Sequence, residues 1–138
     1  MPGSGSGDVG NIPELWLWEA IEEATGVDAY PMTVPEGVVP PFVVFGRSAT
    51  SRERSTAGAT ESLVGSFEVQ IYADSYREAK VLAADVAGAL HDFSGQIDDL
   101  TIDDCFLESE ADGTPIFEDG RERPTYSIDH SYQIRWRE

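Results

Sequence analysis

Residues 75–95 constrain the fold most, because they contain the start, the apolar face and the end signal of a helix. Ser75 and Glu78 have the spacing of a capping box, in which two side chains accept hydrogen bonds from backbone N–H groups of the first turn. Apolar residues then recur at steps of three and four, and Gly95 marks the expected end. These apolar residues are Ala79, Leu82, Ala83, Val86, Leu90 and Phe93. A helix with one apolar face needs another layer to cover it, and the rest of the chain must supply that layer.

Several short segments have the composition and alternation of strands. The clearest is residues 125–136, where apolar or aromatic side chains alternate with polar ones along the whole length. The other predicted strands are residues 29–32, an edge strand because it contains Pro31, and residues 42–46, 63–73 and 100–108. Such alternation is typical of an antiparallel sheet with one face against the core and the other toward solvent or a neighbour.

A second helix is predicted near the N-terminus, between Asn11 and Gly26. Pro13 suits the first turn, and Gly26 offers the left-handed residue that ends many helices. Trp16 and Trp18 point to different faces of this helix, so they are candidate exposed or inter-subunit aromatic residues.

The sequence therefore predicts an α+β fold: a single domain with a mostly antiparallel sheet and two helices packed on one face. The expected element order is α-β-β-β-α-β-β. We expect this domain to span residues 11–138, after a flexible Gly/Ser-rich arm over residues 1–10.

The charge is strongly acidic and unevenly distributed. The chain has 9 Lys and Arg against 26 Asp and Glu, a formal net charge of −17 at pH 7. Residues 98–122 contain Arg121 as their one cation, and ten acids: Asp98, Asp99, Asp103, Asp104, Glu108, Glu110, Asp112, Glu118, Asp119 and Glu122. This charge argues against direct binding of DNA or RNA, because nucleic-acid affinity depends on cations that displace counterions from phosphates.

No residue pattern supports catalysis, a cofactor or a metal site. Glu108, Glu110 and Asp112 mimic the spacing of a calcium loop, but a proline falls inside the loop and a predicted strand precedes it. The pair His91 and Asp92 lacks the further ligands that a metal hydrolase needs, and His130 is the one other histidine. Cys105 is the single cysteine, so an intramolecular disulfide is excluded.

Signals for targeting are also lacking in the sequence. The first ten residues have neither the cationic region nor the apolar stretch of a secretory signal. No apolar run approaches the length of a membrane helix. We therefore expect the protein to be made in a reducing cytoplasm.

Residues 47–60 are predicted to form either a mobile loop or the splayed tip of a hairpin, and we expect this segment to dock a partner. They contain Arg47, Arg52 and Arg54, a third of the cations of the chain, together with Glu53. Guanidinium groups bind carboxylates in bidentate geometry, and a loop this long between two strands is often functional. The alternative is that these arginines are ordinary solvated loop cations.

Several segments resemble the small tail-terminator proteins of long-tailed phages and prophages, which are also called tail-completion or head–tail joining proteins. The resemblance is carried by PFVVF at 41–45, FEVQIYAD at 67–74 before the capped helix, ALHDFSG at 89–95 and YSIDHSYQI at 126–134. It covers roughly residues 12–137 of the chain.

The resemblance implies a structural virion protein without catalytic residues. In this family a ring, commonly of six subunits, caps the finished tail tube and binds the head connector. The expected partners are thus copies of itself, a tail tube protein and a head–tail connector protein. DNA would pass through an acidic lumen without specific binding, since like charges do not adhere. The alternative is a small acidic bacterial accessory or scaffold domain that acts as a monomer or dimer.

Overall fold

A computed structural model describes residues 12–54 and 61–137, which form two helices and six strands. In chain order the elements are α1 (Pro13–Thr25), β1 (Ala29–Pro31), β2 (Phe42–Arg54), β3 (Glu61–Ala73), α2 (Tyr76–Leu90), β4 (Gly95–Ile97), β5 (Leu100–Asp112) and β6 (Tyr126–Arg137). The predicted N-terminal arm, residues 1–10, lies outside the described residues.

The six strands form one sheet in the order β1-β2-β3-β6-β5-β4. All neighbouring pairs are antiparallel except β1 and β2, which are parallel. The predicted α+β class and the mostly antiparallel sheet are confirmed, with β4 as one strand more than the sequence predicts.

The core lies between the helices and one face of this sheet. Every second residue of β6, a central strand, is buried from Ile128 to Trp136. The predicted apolar face of α2 is buried too, at Ala79, Leu82, Ala83, Val86 and Leu90. Burial of these side chains provides the main driving force for folding.

The two helix starts and one helix end follow local sequence rules. Pro13 stands in the first turn of α1, and Gly26 ends the helix with a φ of 73°. At α2 the Ser75 hydroxyl accepts a hydrogen bond from the Glu78 N–H at 3.1 Å. The Glu78 carboxylate reaches back to the N–H of Asp74 at 3.3 Å, one residue before the position that a capping box uses.

The prediction that α2 continues to Gly95 is wrong. The helix ends at Leu90, and Asp92 adopts a left-handed φ of 66° while its N–H donates to the Cys105 carbonyl at 2.7 Å. Phe93 then packs on Trp16 with the ring centroids 4.7 Å apart. The turn at Asp92 thus carries the chain into β4, which begins at Gly95.

Of the two alternatives for residues 47–60, the loop is wrong over residues 47–54, which form one side of a hairpin. Strand β2 continues to Arg54, and its pairing with β3 extends from Phe42–Tyr72 to Arg54–Glu61 with one irregularity between Arg47 and Ala49. Polar residues continue the strand because backbone hydrogen bonds to β3 do not depend on a core. The remaining loop residues, 55–60, lie outside the described residues.

Candidate assembly surfaces

Two long antiparallel strand pairs form opposite halves of the sheet, β2 with β3 and β5 with β6. We call residues 46–54 of β2 with 61–68 of β3 the basic arm, and residues 107–112 of β5 with 126–132 of β6 the acidic arm. Both β2 and β5 are 13 residues long. The short outer strands cover only part of them: β1 pairs with residues 43–45 of β2, and β4 pairs with residues 100–102 of β5.

Arg47 anchors the base of the basic arm to helix α1. Its guanidinium makes a bidentate ion pair with Glu14, with Nε 2.9 Å from Oε2 and Nη2 2.6 Å from Oε1. The same group lies over the rings of Trp136 and Phe67, at 4.8 and 5.3 Å from their centroids. Arg47 is therefore engaged inside the chain, a role that its place among polar residues did not indicate.

The other predicted docking residues lie further along the same strand. Arg52 is exposed, and Glu53 and Arg54 follow it as the last residues of β2. These residues belong to a paired strand and not to a loop. Their contact with a partner stays a prediction.

The two tryptophans of α1 are placed differently from each other. Trp16 is buried against Phe93, so it is not an exposed aromatic residue. Trp18 is half-buried and lies 5.7 Å from the ring of Phe45, so it stays a candidate inter-subunit residue. The most exposed aromatic residue among those described is Phe117, at 78%, in the connection between β5 and β6.

A buried histidine forms the centre of the acidic arm. His130 is 1% exposed, with Nδ1 2.9 Å from the Tyr132 hydroxyl and Nε2 2.6 Å from Oε2 of Glu110. With the proton on Nε2, the ring donates to the carboxylate and accepts from the hydroxyl, so all three groups are satisfied. The hydrogen bond from His130 lowers the pKa of Glu110 below its usual value.

The same carboxylate continues the network to helix α2. Lys80 Nζ lies 3.4 Å from Glu110 Oε1 and 3.0 Å from Asp112 Oδ1. The Tyr76 hydroxyl donates to Asp112 Oδ2 at 2.8 Å, and this hydrogen bond, followed by that from Lys80, lowers the pKa of Asp112. Side chains of α2, β5 and β6, three elements far apart along the chain, thus tie the acidic arm to α2.

This network accounts for part of the pattern that mimics a calcium loop. Glu110 and Asp112 bind His130, Lys80 and Tyr76, and they lie on a strand. Within residues 12–54 and 61–137, no group of three His, Cys, Asp or Glu side chains could hold a metal ion.

The remaining candidate groups have structural roles. Cys105 is buried, and burial, with smaller effects of Asp104 and Asp92, raises the pKa of its thiol to about 12. A thiol with such a pKa is a poor nucleophile at neutral pH. His91 Nδ1 accepts a hydrogen bond from the Leu107 N–H at 3.0 Å, next to an irregularity in β5.

The two lateral edges of the sheet carry opposite charge. Strand β2 contains three arginines and one glutamate, whereas β5 contains five acids and no cation. Two of these five acids bind side chains of the neighbouring strand β6: Asp103 contacts Arg137 Nη2 at 3.0 Å, and Glu110 contacts His130. Opposite charge on two strands of one chain favours a head-to-tail contact between copies over a symmetric one.

Neither α1 nor α2 has the length and apolar composition that a membrane-spanning helix requires; this applies to the part of the chain that the structure describes.

The family model described as "Tail completion protein gp17" matches residues 19–115, from α1 into the connection after β5. No curated protein matches the chain significantly. Among solved structures, a chain of "Virion of native gene transfer agent (GTA) particle" superposes with a TM-score of 0.69 at 15% identity, over 94% of this chain and 97% of that chain. A second solved chain is 17% identical with a TM-score of 0.49, over 88% and 89% of the two chains.

Proposed function

Because the chain belongs to the tail completion protein gp17 family, we propose that it is a structural protein that terminates the tail tube of a phage-like particle and joins it to the head connector. The observation that carries the proposal is the family match over residues 19–115. The fold shared with a chain of a gene transfer agent virion supports it. Its place would be the tail–head junction of the virion, and it would have no catalytic role.

The proposed form of the domain, residues 11–138, is a closed ring of six copies. Support comes from the two edges of the sheet, which differ in charge and are incompletely covered by β1 and β4. Two unlike surfaces on one chain favour a head-to-tail contact between copies. Such a contact generates a closed ring when the rotation from each copy to the next adds up to a full turn. The number six comes from the resemblance of the sequence to tail-terminator proteins.

The proposed lumen of the ring is acidic. Each copy contributes a formal charge of −17, and the acids are concentrated in residues 98–122. A negative lumen repels the phosphate backbone, so DNA passes without binding. The proposed protein partners are the tail tube protein at one face of the ring and the connector protein at the other.

Electron microscopy of purified tail tubes mixed with this chain tests the proposal. The expected result is one sixfold ring at a tube end, with no density along the tube wall. Native mass spectrometry of the same sample gives the stoichiometry independently. Tubes that stay uncapped, or decoration along the tube wall, would contradict the proposed function.

The capping experiment has a matched control within the chain. Arg77 is exposed on α2 and lies outside the basic arm, and Arg77→Glu makes the same charge change as Arg52→Glu. We expect Arg77→Glu to cap tubes like the original chain and Arg52→Glu to cap fewer. Equal capping by both variants at all salt concentrations would contradict the prediction that the basic arm contacts a partner.

A further inference from the structure

We infer that neighbouring copies pair edge to edge: residues 46–54 of β2 in one copy extend the sheet of the next copy along residues 107–112 of its β5. This inference rests on the proposed function, because it names the contact by which the ring would close. The occupant of each open edge is thus a second copy of this chain.

Both edges present backbone groups that lack a strand partner among the described residues. On the outer side of β2, β1 pairs with residues 43–45, and the Met32 N–H adds one bond to the Phe45 carbonyl at 2.7 Å. On the outer side of β5, β4 and the turn at Asp92 reach only as far as Cys105, and the His91 ring binds the N–H of Leu107. Beyond these points the backbone N–H and C=O groups on the outer side of each strand can pair with another strand.

The two open edges lie at diagonally opposite corners of the sheet. The register places Arg54 beside Glu61, Leu63 beside Trp136 and Trp136 beside Ile102, so the end of β2 lies level with the start of β5. The end of β5 lies level with the start of β2. Asp112 pairs with Ile128 on β6, Phe42 pairs with Tyr72 on β3, and β3 and β6 pair with each other at this level. If two copies pair along these open edges, one copy is therefore shifted along the strand direction relative to the other. A continuous sheet needs such a shift between its strands in order to close around an axis.

The strand directions also fit this contact. Strands β2 and β5 run antiparallel within one chain, because three antiparallel steps separate them in the sheet. Where the strands run mainly along the ring axis, rotation about that axis preserves this relation, so β2 meets the neighbouring β5 as an antiparallel pair. Side chains of such a pair face each other directly across the contact.

Charge selects this contact over a symmetric one. The open part of β2 contains Arg52 and Arg54, and the open part of β5 contains Glu108, Glu110 and Asp112. Lys80 binds Glu110 and Asp112 within the chain, whereas Glu108 is exposed at the start of the open edge. Two β5 edges would place acids opposite acids, and two β2 edges would place arginines opposite arginines.

A cysteine scan tests the contact in the full-length protein. Ser109→Cys on β5 is combined in turn with a cysteine at positions 49, 50, 51 and 52 on β2, and the protein is oxidised at high concentration. Disulfides form only where the Cα atoms lie within about 7 Å, so one register should cross-link best. The native Cys105 is buried with a raised thiol pKa and does not compete.

The expected product is a ladder of covalent oligomers that ends at the closed ring. Each single-cysteine variant is the matched control, since a head-to-tail contact never places a residue opposite itself. A covalent dimer of Ser51→Cys alone would reveal a symmetric β2 contact and overturn the inference. A monomer at every concentration, with no double variant cross-linked, would overturn it as well.

The N-terminal segment is the other occupant that the experiment distinguishes. A cysteine at Ser4 or Ser6 is combined with Ser51→Cys in the same chain. An intramolecular disulfide in that variant, without a ladder in the Ser109 series, would assign the edge to the chain's own N-terminus and overturn the inference.

Charge reversal gives a second readout that a folding defect does not mimic. Arg52→Glu should weaken self-association several-fold at low salt, and Glu108→Arg in the same chain should restore it. Arg77→Glu is the control of equal charge change, and circular dichroism verifies that each variant is folded. Failure of the second substitution to restore association would contradict the pairing.

The inference and the proposed function fail in different ways. Rings that cap tail tubes without any β2–β5 cross-link would overturn the inference and leave the proposed function intact. Covalent rings that never bind a tube end would support the edge contact and contradict the proposed function.

Discussion

The basic arm and the acidic arm are built from strands of equal length but are held in different ways. The β3 strand of the basic arm pairs with β6, whereas its β2 strand is held by side chains at its base, where Arg47 binds Glu14 and lies over two aromatic rings. The acidic arm is attached along its length, through His130, Glu110 and Lys80 to helix α2. Equal lengths of strand therefore differ in how much side-chain structure supports them.

This difference suggests a division of roles between the arms. Segments with few buried contacts open at low free energy, and they become ordered when a partner supplies the missing contacts. An arm that a hydrogen-bonded network fixes in place presents a preformed edge. In the edge contact that we infer, the acidic arm is thus the preformed edge, and the exposed residues 48–52 of β2 are the segment that adapts.

The largest expected effect comes from the layer that supports both arms. Leu90 is fully buried at the end of α2, so Leu90→Ala should lower the free energy of unfolding by about 2–5 kcal/mol. Val81→Ala is the control, since Val81 lies on the same helix and is 53% exposed. Chemical denaturation of both variants gives the comparison, and equal stability of the two would contradict the packing of α2 on the sheet.

Most of the layer arrangement was predictable from the sequence, because it depends on periodicity. Each of three local patterns predicts one structure: the apolar steps of α2 predict a helix, the alternation along β6 predicts a strand, and Gly26 predicts the end of a helix. The length of β2 was not predictable in this way. Its last eight residues form a strand through backbone pairing with β3, and their side chains carry no alternating apolar signal.

The second largest effect is expected in the acidic arm. His130→Ala removes a buried ring and leaves the Tyr132 hydroxyl and the Glu110 carboxylate without their partner, at a cost of about 1–3 kcal/mol. His91→Ala is the control, because His91 is exposed and makes one hydrogen bond to a backbone N–H. Hydrogen exchange should show faster opening of β5 in His130→Ala than in His91→Ala, with little change in the basic arm.

A smaller effect is expected at the base of the basic arm. Arg47→Ala removes a half-buried bidentate ion pair and two cation–π contacts, which together contribute about 1–2 kcal/mol. Arg77→Ala, on the exposed surface of α2, should change stability little. If Arg47→Ala leaves exchange in β2 unchanged, Arg47 is not the anchor of this arm.

The pairs of side chains that bind each other in the two arms could not be predicted from the sequence, and the reason is the same for both arms. Arg47 and Glu14 are 33 positions apart, and His130 and Glu110 are 20 apart, so no local spacing connects them. A signal was present at His130, because it occupies an apolar-facing position of an alternating strand and a polar ring there needs a partner. Which acid would supply that partner depends on the register of β5 against β6.

The smallest expected effect is a pH dependence confined to the acidic arm. The pKa of Glu110 is lowered in the folded chain from its usual 4.5, chiefly by the hydrogen bond with His130. A carboxyl group whose folded pKa is lowered adds stability above its unfolded pKa and loses that contribution as the pH falls through the folded value. Local exchange in β5 should therefore accelerate below about pH 4.5, before the sheet as a whole unfolds. Glu110→Gln should remove this acid-dependent part, whereas Glu118→Gln, an exposed residue of the β5–β6 connection, should retain it. A pH profile that is the same for both variants would show that His130 and Lys80 hold the arm without help from the charge of Glu110.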